Sequence, residues 1–146
     1  MYQSILVPVD GSETAQRALR EAIQLARGLS SRIRVIHVVN GAPWMAHGAP
    51  RVTEELVTQL RSTGESIIHE AKVTVRSAGV EVDDRLIEAI GEEVGDIVVA
   101  EAIDWPAELI VCGTHGRRGL KRLLMGSDAE HIVRHSPVPV LLVRGS

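Results

Sequence analysis

Gly113, Gly116, Gly126 and Ser127 frame a stretch of chain whose chemistry suits an anion. Glycine has no Cβ, so Gly113 and Gly116 can take positive φ and let the backbone approach a ligand closely. Gly126-Ser127 leads into a segment of helical spacing, and at a helix start free amides and aligned peptide dipoles favour negative charge. The Ser127 hydroxyl can add one hydrogen bond. Between the glycines lie Arg117, Arg118, Lys121 and Arg122, without one acidic residue. Cations beside backbone corners that accept anions make a coherent phosphate site. A plainer reading fits the same residues, with glycines marking turns, cations merely solvated and Ser127 acting only as a helix cap.

A loop of this kind works only if regular elements hold its two ends. Ser4-Ile5-Leu6-Val7-Pro8-Val9 is a nearly continuous apolar run ending in Asp10-Gly11-Ser12, which predicts a strand buried on both faces and then a turn. Ser12 is a candidate N-cap, and Ala15, Ala18, Leu19, Ala22, Ile23, Ala26 and Leu29 place a helix after it, running to about Gly28. Ile33 to Val39 predicts a second strand, and the Gly-, Ala- and Pro-rich stretch from Asn40 to Pro50 a loop. From Val52 the spacing of Leu56, Leu60, Ile67, Ile68, Ala71 and Val75 predicts a long helix, with Gly64 a weak point and Gly79 just past its end.

Val80 to Ile87 reads as a strand near a sheet edge, because Asp83-Asp84-Arg85 occupies its centre. Helical spacing returns from Glu92 to Ala102, Pro106 stops it, and Leu109-Ile110-Val111-Cys112 is a fourth buried run. A last helix from about Ser127 to His135 precedes a fifth strand, Val138 to Val143, whose prolines exclude a central ladder position. Strands alternating with helices at these lengths imply right-handed crossovers and a doubly wound parallel sheet with helices on both faces. Ligands of such sheets sit beyond the carboxyl ends of the strands, where strand order reverses. The turns at Asp10 and Gly113 therefore carry most of the functional weight.

The totals bound what the site can serve. A chain of 146 residues supports one core and one domain, spanning residues 1–146. Phe is absent and aromatics total 2%, so that core is built from Val, Ile, Leu and Ala. A net charge of -3 gives no global field for nucleic acid, so no nucleic-acid partner is expected. No run of apolar residues is long enough for a membrane span, and a single cysteine, Cys112, rules out an intramolecular disulfide. A reducing cytoplasm is the expected location. No Gly-Lys-Ser/Thr ends a P-loop and no Gly-x-Gly-x-x-Gly follows the first strand, which argues against the common hydrolase and dehydrogenase classes.

The chain resembles the universal stress protein family, whose signature is Gly, two residues, Gly, nine residues, then Gly followed by Ser or Thr. Gly113, Gly116, Gly126 and Ser127 carry that spacing. The likeness runs from Ile5-Leu6-Val7-Pro8-Val9-Asp10-Gly11-Ser12 to Pro137-Val138-Pro139-Val140-Leu141-Leu142-Val143. It implies a single five-stranded parallel sheet of order 3-2-1-4-5, adenine nucleotide alpha hydrolase-like, binding ATP or a related ADP or AMP with or without Mg2+. By position, Pro8, Val9 and Asp10 would face the adenosine and the backbone around Val38 the adenine. Gly113, His115, Gly116 and Arg117 would line ribose and phosphates, and Gly126, Ser127 and the amide of Asp128 would hold the phosphate tail. The resemblance further implies a homodimer formed by pairing Val138 to Val143 across a two-fold axis.

Asp128 departs from the family pattern, in which a small apolar residue commonly follows Gly-Ser. A carboxylate there repels polyphosphate unless it turns away or shares a divalent cation, and otherwise complements the helix dipole. Alternatives to a nucleotide-dependent stress-response regulator are a slow ATPase and a dimeric interaction module that holds no nucleotide. Against catalysis, no general base or carboxylate pair for magnesium stands out beyond Asp10 and Asp128. His131 and His135 share a helix face but have no acidic or Cys partner at ligand spacing, so no metal is expected there. Cys112 reads as a core residue, Trp44 fits either a nucleotide mouth or a core edge, and the sequence assigns Trp105 no single role.

Overall fold

The computed structural model describes residues 1–40, 53–115 and 125–145. Trp44, Gly116, Arg117, Arg118, Lys121 and Arg122, singled out above, lie outside the described residues. The strands are β1 (Ser4–Pro8), β2 (Arg32–Val39), β3 (Val82–Glu88), β4 (Leu109–Gly113) and β5 (Val140–Val143). Between them run α1 (Glu13–Leu29), α2 (Glu54–Ser77), α3 (Val94–Asp104) and α4 (Ser127–His135). The strands form one five-stranded sheet in the order β3-β2-β1-β4-β5, and every pairing is parallel.

Alternation along the strands divides the core in two. Ile5, Val7, Ile33, Val35, Leu109 and Val111 pack with α1 and α2, whose inward stripe includes Ala18, Ala22, Ile68 and Val75. Leu6, Ile36, Ile110 and Cys112 face the other way, onto Val98, Ala102, Trp105 and Ile132 of the α3–α4 side. Trp105 thus belongs to the core. Arg32 and Arg34 lie over its ring at 5.0 and 4.9 Å from the centroid, where a cation is attracted to the aromatic face. Arg34 and Arg85 each reach the buried Glu101 carboxylate, at 2.8 and 2.7 Å, so the charge enclosed by α3 is paired on both oxygens.

Element ends shift where backbone caps decide them. α1 passes through Gly28 to Leu29, and Ser30 takes the left-handed turn with φ 57. α2 starts at Glu54 behind Thr53, whose Oγ1 accepts the Leu56 N–H at 3.2 Å. β3 begins two residues after the expected Val80, because the Val80 N–H still closes the end of α2 on the Val75 carbonyl and Gly79 turns at φ +79. β5 is shorter than Val138 to Val143, although the Pro139 carbonyl already accepts the Ile110 N–H at 3.0 Å. β3 and β5 occupy the sheet edges, as the charge of one and the prolines of the other require.

Cys112 lies buried in the α3–α4 core layer, and burial pushes its thiol up to about 12 from an ordinary 9.0. At pH 8 the native protein should therefore react with a thiol reagent at least about a hundred-fold more slowly than the unfolded chain, since thiolate is the nucleophile. A comparison of labelling rates in buffer and in denaturant checks this, and equal rates would contradict the assignment.

Candidate functional site

At its carboxyl end the central strand parts from both of its neighbours. Along β1 the odd residues turn their N–H and C=O groups toward β2, as the Val9 N–H on the Ile36 carbonyl at 2.8 Å shows. Pro8 therefore turns its nitrogen toward β4, and it has no N–H to give. Pairing with β4 duly stops at Leu6↔Ile110, and pairing with β2 at Pro8↔Ile36. β2 runs on to Val39 beside β3. A recess of backbone groups opens where strand order reverses, the position at which open α/β sheets take ligands.

Asp10 sits at the lip of this recess. Its Oδ1 accepts the Ser12 N–H at 2.9 Å while Gly11 takes φ 83, so the carboxylate shapes the turn that starts α1. Ser12 Oγ then accepts the Ala15 N–H at 3.1 Å and fixes the helix origin. Val9 is buried, and Pro8, Asp10 and Val38 are half-buried.

Gly113 corrects one expectation. Its backbone is not left-handed; the described glycines with positive φ are Gly11, Gly79 and Gly91. The residue is small because α1 crowds it: a Cβ there would lie 2.5 Å from Thr14 Cγ2 and 3.1 Å from the Thr14 carbonyl carbon. Thr14 was not singled out in the sequence, where nothing marks it from other first-turn threonines. Glycine at the end of β4 thus lets the turn after β1 and the loop after β4 lie side by side.

The loop closes on itself through its ends. The Thr114 N–H donates to the Val143 carbonyl at 3.0 Å, and the Thr114 carbonyl accepts the Gly126 N–H at 2.7 Å. This second bond ties the start of α4 to the end of β4. Thr114 Oγ1 lies 3.0 Å from His115 Nδ1, which orients the half-buried imidazole at the loop's first turn. Gly126 is the N-cap of α4 and has no side chain to cap it, while Ser127 is exposed and Asp128 half-buried. The N-cap itself therefore gives α4 no side-chain hydrogen bond, and Asp128 and Glu130 add acidic charge to the first turn. Gly116 and Arg117 fall outside the described residues.

The sequence profile of the universal stress protein family matches residues 1–144. The chain belongs to the universal stress protein family. Universal stress protein MJ0531 of Methanocaldococcus jannaschii is 30% identical over 144 residues, covering 99% of this chain and 83% of the relative. Among solved structures, the hypothetical protein MJ0577 superposes with a TM-score of 0.86 at 27% identity, covering 100% of this chain and 98% of its own. A universal stress protein of Archaeoglobus fulgidus, solved in complex with dAMP, has a TM-score of 0.71 at 26% identity, with coverage of 97% and 98%.

In this universal stress protein His131 on α4 meets both Asp96 of α3 and His135 of its own helix. His131 Nε2 is 2.6 Å from Asp96 Oδ1 without hydrogen-bond alignment, and its ring stacks on His135 with centroids 4.2 Å apart. Asp96 on α3 is an acidic partner that sequence spacing could not supply, because it comes from another helix. Among the described residues no group of three or more His, Cys, Asp or Glu is placed to hold a metal. Nor is any described helix long and apolar enough to cross a membrane.

Gly113→Ala should destabilise the fold by about 1–3 kcal/mol, the usual cost of forcing a methyl group into a packed site. Adding Thr14→Ser, which deletes the nearest carbon, should recover part of the loss. Urea unfolding of the three proteins measures this, and a neutral Gly113→Ala would contradict the close approach.

Proposed function

We propose that the protein binds an adenine nucleotide across the carboxyl ends of β1, β2 and β4 and acts as a nucleotide-dependent stress-response regulator. One observation carries the reading: the bond from Gly126 to Thr114 brings the start of α4, with glycine at its N-cap, to the end of β4. A helix start so placed offers amides and dipole to a phosphate chain. Ser127 and the Asp128 amide would take the phosphate tail, with Gly126 leaving room for it. Gly113, His115, Gly116 and Arg117 would follow the ribose and inner phosphates, and Pro8, Val9 and Asp10 the adenosine. Val38 would meet the adenine through its backbone. The dAMP complex of the Archaeoglobus fulgidus relative supports this choice of ligand class.

ATP, ADP and AMP all fit this division of labour, and Mg2+ would offset the repulsion between a triphosphate and Asp128. Titration calorimetry with each nucleotide, with and without magnesium, tests the reading. Binding is expected, and Gly126→Val should lower affinity at least about ten-fold because a branched side chain crowds the phosphate path. Absence of heat with every nucleotide would overturn it.

The same reading places the protein in the cytoplasm as a homodimer. β5 is an edge strand whose Leu141 is 38% exposed, a surface that pairing with a second copy would cover. Light scattering at micromolar concentration should give twice the monomer mass, and Leu141→Lys should shift it toward the monomer. A monomeric wild type would rule out this mode of assembly.

A further inference from the structure

His37 lies inside an apolar strand, buried, at the point where β2 outruns β1. Its Nδ1 is 2.7 Å from the Val9 carbonyl oxygen. A carbonyl only accepts, so Nδ1 carries the proton and donates. The ring is held in place from behind by α2, where a Cβ on Gly64 would come within 2.7 Å of His37 Cδ2. That contact explains a glycine inside a long helix, where its backbone entropy is a cost.

The bond has a consequence for Val38. Along β2 the groups of Arg32 and Ile36 face β1 and those of Ile33 and Val39 face β3, as their bonds to Gln3, Val9, Glu81 and Ala89 establish. Alternation then turns both the N–H and the C=O of Val38 toward β1. The next rung of that ladder would join the Val38 N–H to the Val9 carbonyl. Among the described residues that rung is not made, and the Val9 carbonyl accepts from the imidazole of His37 instead.

We infer that His37 is a positioning residue that ends the β1–β2 ladder one rung early and thereby keeps a donor and an acceptor of Val38 available to read the edge of a purine base. The inference rests on the adenine-nucleotide reading above. A donor beside an acceptor matches adenine, which presents N1 as acceptor and its 6-amino group as donor. Hypoxanthine, with a protonated N1 and a 6-oxo group, presents the reverse pattern to a base held the same way. The selectivity of the pocket is therefore set by a side chain that does not touch the ligand.

Two variants test this. His37→Leu removes the donor, and His37→Asn keeps an amide nitrogen close to the position of Nδ1. In nucleotide-free protein, the Val38 amide should exchange with solvent rapidly in the wild type and in His37→Asn. In His37→Leu it should become protected at least about ten-fold as the rung forms. Calorimetry should show AMP bound at least about ten-fold more weakly by His37→Leu, with IMP affinity unchanged and AMP affinity restored in His37→Asn. A structural lesion would instead weaken AMP and IMP together, and that outcome overturns the inference, as does an unchanged Val38 exchange rate. A wild type that binds neither nucleotide sinks the adenine reading and the purine-reading role with it. The exchange result then still reports separately on the contact between His37 and Val9.

Discussion

β1 is the central strand of the sheet, bonded on both sides, and the whole site depends on how it lets go of those neighbours. Proline at position 8 removes the N–H that would continue toward β4, and pairing there ends at Leu6↔Ile110. On the other side the ladder ends at Pro8↔Ile36, with the Val9 carbonyl taken by the His37 ring. Each release is a matter of one backbone hydrogen bond. Together they end both ladders of β1 where strand order reverses, above strands that are buried.

Everything that borders the recess is positioned by close backbone packing. Asp10 and Ser12 fix the first turn of α1 by accepting the Ser12 and Ala15 N–H groups, and Thr14 of that turn touches Gly113 of β4. β4 in turn anchors α4 through Thr114 and Gly126. A chain of short contacts therefore runs from the end of β1 to the start of α4, so the two ends of the proposed site are held in one frame. The packing of α3 on α4 in the second core layer, through Val98 and Ile132, supports that frame from below.

The architecture was legible in the sequence because it follows from period and punctuation. Buried strands appear as short β-branched runs, helices as three-and-four spacing, and edge strands as the charges of Asp83-Asp84-Arg85 or the prolines of Pro137 and Pro139. The glycine spacing after β4 marked the carboxyl end of the sheet, where the Gly126 N–H meets the Thr114 carbonyl. What the sequence could not supply were contacts between elements distant along the chain. Gly113 is needed for the bulk of Thr14, not for a left-handed backbone, and Asp96 meets His131 across two helices. His37 was concealed by its surroundings, since a histidine in an apolar run reads as a strand residue until the carbonyl it holds is seen.

The central claim is that a base site at the end of β2 and a phosphate site at the start of α4 serve one ligand. AMP added to isotopically labelled protein should shift the backbone amide resonances of Val38 and of Ser127 and Asp128 along a single saturation curve with one Kd. Shifts at only one of the two places, two unrelated curves, or no shifts at saturating nucleotide would contradict it.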